Sequence, residues 1–204
     1  MDAEHIDTRR LLEPTPRDDI MALQTAASLE NLAVSVYRTA AELPFIKDGN
    51  ATIQEFIATT TRHHEEHAKA FNTAAVQAGG QPQTGTDPKY AAVVEKALPA
   101  ARTPEDVITL ALSLEDVAAQ TYTKNVGPAG TARLRRLFAS VAPVEAQHRA
   151  TLLTIQSLLG SGDTDLIAIP ADADALHAAA GTVGFPDAFY PTGKASPSSE
   201  GAVR

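Results

Sequence analysis

The chain repeats itself, and the repeat carries ionisable groups into places where charge is costly. Ser28-Leu29-Glu30-Asn31-Leu32-Ala33 matches Ser113-Leu114-Glu115-Asp116-Val117-Ala118, and a tyrosine follows each glutamate by seven residues, Tyr37 and Tyr122. A second pair of segments aligns as well: His64-x-x-His67 falls on Glu145-x-x-His148 with one common offset. Each segment places apolar residues at steps of three, four and seven, the period of a helix with one buried stripe. Leu23, Ala27, Glu30, Val34 and Tyr37 share the first stripe, and Ile53, Phe56, His64, His67 and Phe71 the second. Ile108, Ala111, Glu115, Ala118 and Tyr122 share the third, and Leu134, Phe138, Val141, Glu145, His148 and Leu152 the fourth. Every stripe thus points a carboxylate or an imidazole into hydrocarbon, where an unpaired charge is strongly disfavoured and needs a partner. A divalent metal is one such partner. A salt bridge or a buried water is another, and for a lone Glu-x-x-His it is the commoner one.

The rest of the chain punctuates these helices. Residues 1–16 are polar, with Pro14 and Pro16, and read as a loose arm. Helix one follows to about Leu43, introduced by Asp18 and Asp19, which suit a helix N-terminus, and stopped by Pro44. The link through Asp48-Gly49-Asn50 is short, so helix two, about Thr52 to Ala78, returns antiparallel and ends at Gly79-Gly80. A long connection to Arg102 holds one short helical piece, about Tyr90 to Leu98. Thr103-Pro104-Glu105-Asp106 supplies a capping residue, a proline at the first helical position and first-turn acids, and starts helix three, which runs to about Asn125. Gly127-Pro128-Ala129-Gly130 turns the chain into helix four, Thr131 to Leu159, whose interior Pro143 predicts a kink just before Glu145.

The expectation is an all-α, up-down four-helix bundle with one long crossover between helices two and three. The bundle occupies 17–160, built from hairpin repeats 17–80 and 103–160. An extension over 161–190 carries a short helix candidate at Asp172 to Ala180, with Phe185, Pro186, Phe189 and Tyr190 as groups that dock on the bundle. The Gly/Ser/Pro-rich 191–204 reads as a disordered tail.

Composition removes several functions. Hydrophobic residues make up 44% of the chain and aromatic residues 5%, and the abundant alanine favours helix over sheet. A net charge of −8 with no basic stripe argues against nucleic acid. The absence of cysteine excludes disulfides, thiolate ligands and cysteine nucleophiles. No apolar run approaches membrane-span length. Arg9-Arg10 is not followed by an apolar export region, so a cytoplasmic protein is expected, with a signal removed upstream of this numbering as the alternative.

A glutamate on helices one and three, with Glu-x-x-His-like turns on helices two and four, resembles the ferritin-like superfamily, such as bacterioferritins, rubrerythrins and the ferritin-like domains of desiccation-related proteins. The resemblance covers about Asp18 to Leu159. It implies a dinuclear metal site. Glu30 and His67 would be terminal ligands of one ion, Glu115 and His148 of the other, and Glu145 would bridge them. His64 departs from the pattern, because it stands where the family has a second bridging glutamate. A neutral imidazole cannot bridge as a carboxylate does. Four carboxylates balance two divalent ions, whereas three leave one positive charge, to be met by hydroxide, an exogenous anion or Glu66 turning inward.

His63, at the edge of its stripe, reads as a partly solvated group supporting the ligands. Tyr37 and Tyr122 read most simply as core residues with bonded hydroxyls, and the resemblance adds a supporting or redox role beside the metal. Mixed imidazole and carboxylate donors suit iron or manganese, and imidazole also suits zinc.

Three functions follow as expectations. The first is a di-iron oxidase or ferroxidase acting with O2 or peroxide. The second is a non-catalytic, mononuclear metal protein, and the third a metal-free helical scaffold. A storage cage of the 24-subunit type is not expected, since the C-terminal region carries no fifth helix comparable to the cage-forming one. A monomer or small homo-oligomer is.

Overall fold

The computed structural model describes residues 15–162 together with 188 and 189. Six α-helices appear in the order α1 (Pro16–Ala41), α2 (Pro44–Lys47), α3 (Ala51–Gln77), α4 (Pro88–Ala97), α5 (Pro104–Val126) and α6 (Ala132–Ser161), with a 3-10 turn at Leu98–Ala100 after α4. There is no strand among the described residues. The four long helices are α1, α3, α5 and α6. Pairing is mainly α1 on α3 and α5 on α6, with α1 and α5 joining the two hairpins.

Local chemistry sets the ends. Thr15 caps α1: its side chain accepts from the Asp18 N–H while the Asp18 carboxylate accepts from the Thr15 N–H, with Pro16 in the first turn. Thr15 and Pro16 therefore belong to the helix and not to the arm assigned to 1–16. Thr103 and Asp106 repeat the same reciprocal cap on α5. Asn50 caps α3 through its side-chain oxygen. At the far end of α3, Gly79 takes φ +91, and the N–H groups of Gly79 and Gly80 reach the carbonyls of Val76 and Ala75. That closure needs the left-handed conformation glycine adopts freely. A Cβ on Gly80 would lie 2.6 Å from the Ile20 side chain, so α1 and the end of α3 approach closely only because Gly80 has none.

Two further departures from the sequence reading are small. Pro44 does stop α1, but it also opens the one-turn α2, occupying the first-turn position a proline tolerates. The crossover helix starts two residues earlier than read, because Asp87 caps it with Pro88 next in line. Helix α6 runs through Pro143 as one continuous element.

The crossover lies along the first hairpin. Asn31 Nδ2 donates to the carbonyls of Gln83 and Gly85, Asn72 exchanges two hydrogen bonds with Gln83, and the Asp87 N–H donates to the Ser28 carbonyl. This route covers the α1–α5 seam and packs Tyr90, Ala91 and Val94 over Leu32, Val36 and Leu110.

Two apolar layers fill the bundle. One holds Leu23, Ala27, Phe71, Tyr122, Phe138 and Val141. The other holds Tyr37, Ile53, Phe56, Ile108, Leu152 and Ile155. Sequence order places the ionisable groups between them on every long helix. The repeat persists in detail: Ser28 and Ser113 each donate to the carbonyl three residues back, at 2.7 Å.

Candidate metal centre

Glu30, His67 and Glu145 are 0% exposed, His64 is 1%, and Glu115 and His148 are 2%. One turn of each long helix delivers them. Their donor atoms form two groups: Glu30, His64, His67 and Glu145 in one, and His64, Glu115, Glu145 and His148 in the other, with the atoms of each group all within 4.8 Å of one another. The groups share His64 and Glu145. The six residues aligned by the internal repeat thus meet at one place, arranged as two halves around a common pair.

His64 Nδ1 lies 2.6 Å from Glu30 Oε2 and its Nε2 3.2 Å from Glu115 Oε1, so this ring spans both halves. It also stacks on Tyr37, centroids 5.4 Å apart. His148 Nδ1 lies 3.3 Å from Glu115 Oε2 and 3.2 Å from Glu145 Oε2. His67 Nδ1 comes within 2.8 Å of Glu145 Oε1 and 3.6 Å of Glu30 Oε2. The 2.8 Å approach is not aligned as a hydrogen bond. His67 Nδ1, Glu145 Oε1 and Glu30 Oε1 all stay buried without a hydrogen-bond partner.

Burial raises the energy of every charge here, and the charges answer by pairing. Burial would push the Glu30 carboxyl up, but His67 and His64 outweigh it and hold it at about 2. Glu115 is likewise held well below the usual carboxylate range, since His64 and His148 outweigh its burial. Burial would push His67 down, but Glu145 and Glu30 raise it to about 10. His64 and His148 are raised against the same burial, His64 by Glu145, Glu115 and Glu30, and His148 chiefly by Glu115. Without metal, the imidazoles supply the cations that keep Glu30 and Glu115 ionised.

The surrounding groups fall out unevenly. His63 is not partly solvated: it is 1% exposed, and its Nδ1 lies 3.0 Å from His148 Nε2. Burial first, then His148 and Arg62, hold it neutral, pushed down to about 3. Its place one helical step off the stripe hid this, because its partner comes from α6. Glu66 does not turn inward. It pairs with Arg62 at 3.0 Å on the surface, an i, i+4 pair visible in the sequence. The Tyr37 hydroxyl donates to Glu115 Oε1 at 2.5 Å. The Tyr122 hydroxyl donates to the Ala26 carbonyl at 3.4 Å. Burial, then Glu115 for Tyr37 and Glu30 for Tyr122, raises both phenols well above their ordinary value. Each tyrosine thus sits by the glutamate of the other hairpin.

Sequence reasoning missed one group. The Ala188 carbonyl accepts from His67 Nε2 at 2.5 Å, and the Phe189 ring meets the same imidazole edge-on at 5.6 Å. Phe189, one of the aromatic groups noted in the C-terminal stretch, thus contacts α3 through His67. A backbone carbonyl has no signature that would have placed Ala188 on His67. Phe185, Pro186, Tyr190 and the helix candidate at 172–180 lie outside the described residues.

Buried donor atoms without a hydrogen-bond partner on α1, α3 and α6, within residues whose donor atoms converge, fit a cation, and the mixture of carboxylate oxygen and imidazole nitrogen is what a first-row metal takes. No helix among the described residues is long and apolar enough to cross a membrane. No curated protein sequence matches the chain. The family model described as a ferritin-like domain matches residues 18–158, from the first turn of α1 almost to the end of α6. The stretch it matches contains both hairpins and all six converging residues, and the chain belongs to the ferritin-like domain family.

Proposed function

We propose that the protein binds iron as a dinuclear centre and acts as an oxidase toward O2 or peroxide, with ferrous iron itself as the simplest electron source. The observation that carries this reading is the pair of four-residue groups sharing His64 and Glu145. Glu30 and His67 would hold one ion and Glu115 and His148 the other, with Glu145 between them and manganese or zinc as alternative occupants. Two ferrous ions side by side supply the two electrons that reduction of a peroxide requires.

The remaining roles belong to the chain. The apolar layers around Phe71 and Phe56 keep bulk water from the carboxylates. Tyr37 orients Glu115 and offers its hydroxyl proton to Oε1. His63 fixes the His148 ring through Nε2, leaving Nδ1 aimed at the carboxylates. The protein is proposed to work in the cytoplasm as a monomer or small homo-oligomer.

One observation favours a second reading. His64 bonds to Glu30 and Glu115 at once, so a charged imidazole can occupy the centre where a bridging carboxylate would complete a two-ion site. That favours a non-catalytic protein holding one ion. Anaerobic titration with Fe(II), followed by admission of O2, separates the readings. The oxidase binds two ions per chain and oxidises them within one kinetic phase. One bound ion with no oxidation above the buffer rate would establish the second.

A further inference from the structure

The two halves of the centre are related by the repeat, but their outer supports are not. His148 Nε2 is met by His63 Nδ1, a partner from α3. The offset that maps His67 onto His148 maps His63 onto Val144. Val144 is fully buried, and its apolar side chain can neither accept nor donate a hydrogen bond. On repeat symmetry alone, the outer nitrogen of His67 would face hydrocarbon. The structure gives it the Ala188 carbonyl instead.

We propose that Ala188 and Phe189 are positioning residues for His67, doing for one half of the centre what His63 does for the other. This rests on the metal reading of the site. The carbonyl accepts the Nε2 proton and so presents Nδ1, the atom facing Glu30 and Glu145, as the donor toward a metal. A hydrogen bond of this kind fixes the ring's tautomer and orientation and raises its basicity as a ligand. Phe189 holds the carbonyl in place. Its ring packs edge-on to His67 and forms one wall of a cavity lined also by Lys69, Ala70 and Thr73 of α3 and Arg133, Leu134 and Leu137 of α6. Ala188 is 6% exposed and Phe189 36%, so the carbonyl is buried against the bundle while the ring stands at its rim. The consequence is asymmetry: affinity at the His67 half depends on a segment far along the chain, while affinity at the His148 half does not.

The test uses the full chain with Phe189→Ala, Ala188→Glu, the conservative Phe189→Leu, and His63→Ala as the reciprocal control. Neither Ala188 nor Phe189 lies in a helix of the bundle, so unchanged far-UV circular dichroism is expected throughout the C-terminal set. In metal-free protein, a ¹⁵N-labelled histidine experiment should show a protected Nε2–H for His67 in wild type and Phe189→Leu. That protected signal should be lost in Ala188→Glu and weakened in Phe189→Ala. In a Co(II) titration followed by its visible absorption, Ala188→Glu should weaken one binding event about 10–100-fold, the range for loss of such a support. The other event should be unchanged, and His63→Ala should produce the mirror result. If cobalt binds but Ala188→Glu leaves both events and the His67 proton as in wild type, the positioning role is overturned alone. If Ala188→Glu and His63→Ala weaken the same event, the division into halves is wrong. If wild type takes up no cobalt, the metal reading fails and the inference fails with it.

Discussion

The stability that His64→Glu removes in the metal-free protein should be largely restored by metal. In the metal-free protein, His64 is 1% exposed and its two ring nitrogens contact Glu30 at 2.6 Å and Glu115 at 3.2 Å. Replacing it removes the cation that two buried carboxylates share and adds another carboxyl beside them. Breaking a buried ion pair from one side costs about 3–5 kcal/mol. For a domain of roughly this size, each kcal/mol moves the melting temperature by about 2–4 °C, so the metal-free variant should melt roughly 6–20 °C below wild type. With metal the argument reverses. The fourth carboxylate balances two divalent ions, and an ion present at 1,000 times its dissociation constant stabilises the folded state by about 4 kcal/mol. Melting curves in chelator and in saturating Mn(II) should therefore show a much larger metal-induced rise for the variant, with the weaker of two calorimetric binding events tightened. His64→Leu, which removes the cation without supplying a ligand, should lose stability in both conditions. The reasoning is refuted if metal-free His64→Glu melts at or above the wild-type temperature. It is also refuted if wild type already binds two ions with equal affinity, for then His64 is a sufficient ligand as it stands.

Other consequences can be read in simpler assays. Saturating Fe(II), Mn(II) or Zn(II) should raise the wild-type melting temperature by mass action, and Glu115→Ala should abolish most of that gain; an equal rise in both would place the metal elsewhere. Metal-free stability should fall on both sides of neutrality. His67 is raised to about 10, so its contribution is complete below its unfolded value near 6.5 and is lost as pH climbs through 10; Glu30 is depressed to about 2, so its contribution is complete above 4.5 and is lost as pH falls through 2. His63, depressed to about 3, adds to the acid-side loss below 6.5. Denaturant titrations at acid, neutral and alkaline pH should reproduce that dome, and stability still rising toward pH 10 would contradict the paired-imidazole description. Thr103→Ala removes the cap of α5 and should cost about 1 kcal/mol, measured as a lower denaturation midpoint with unchanged slope.

The parts legible in the sequence are those written at helical period. Four stripes with an ionisable group at matching places determine four long helices and bring Glu30, His64, His67, Glu115, Glu145 and His148 together, because a buried stripe leaves its residues nowhere else to face. The cap at Thr103-Pro104 is equally local. At the other end of the chain, Thr15-Pro16 makes the same kind of start, but the neighbouring Pro14 gave it the look of a loose arm. The one-turn α2 is shorter than a helical period can announce. His63 lies off its stripe, and only the approach of α6 turns that position into buried space with His148 as a partner. Ala188 was illegible for a stronger reason: the group that matters is a carbonyl every residue possesses.

The neutralised core also says in what order folding and loading can occur. Two of the three glutamates have carboxyls held below their ordinary value by the imidazoles, so the bundle has a way to close over its charges before any metal arrives. That differs from small metal domains in which the ion supplies the folding energy. A cation entering such a site must displace protons from His67 and His148, whose values lie above the ordinary one, and so metal and proton compete for the same nitrogens. Binding should then tighten as pH rises while the metal-free fold loosens, and the two trends together widen the gap between loaded and empty protein on the alkaline side. The interlocked contacts between hairpins resist that loosening. Tyr37 of the first hairpin is bonded to Glu115 of the second, and His64 of the first reaches the same glutamate, so the hairpins cannot separate without breaking bonds at the centre. The polar layer is therefore part of what holds the two hairpins in register, whether or not an ion occupies it.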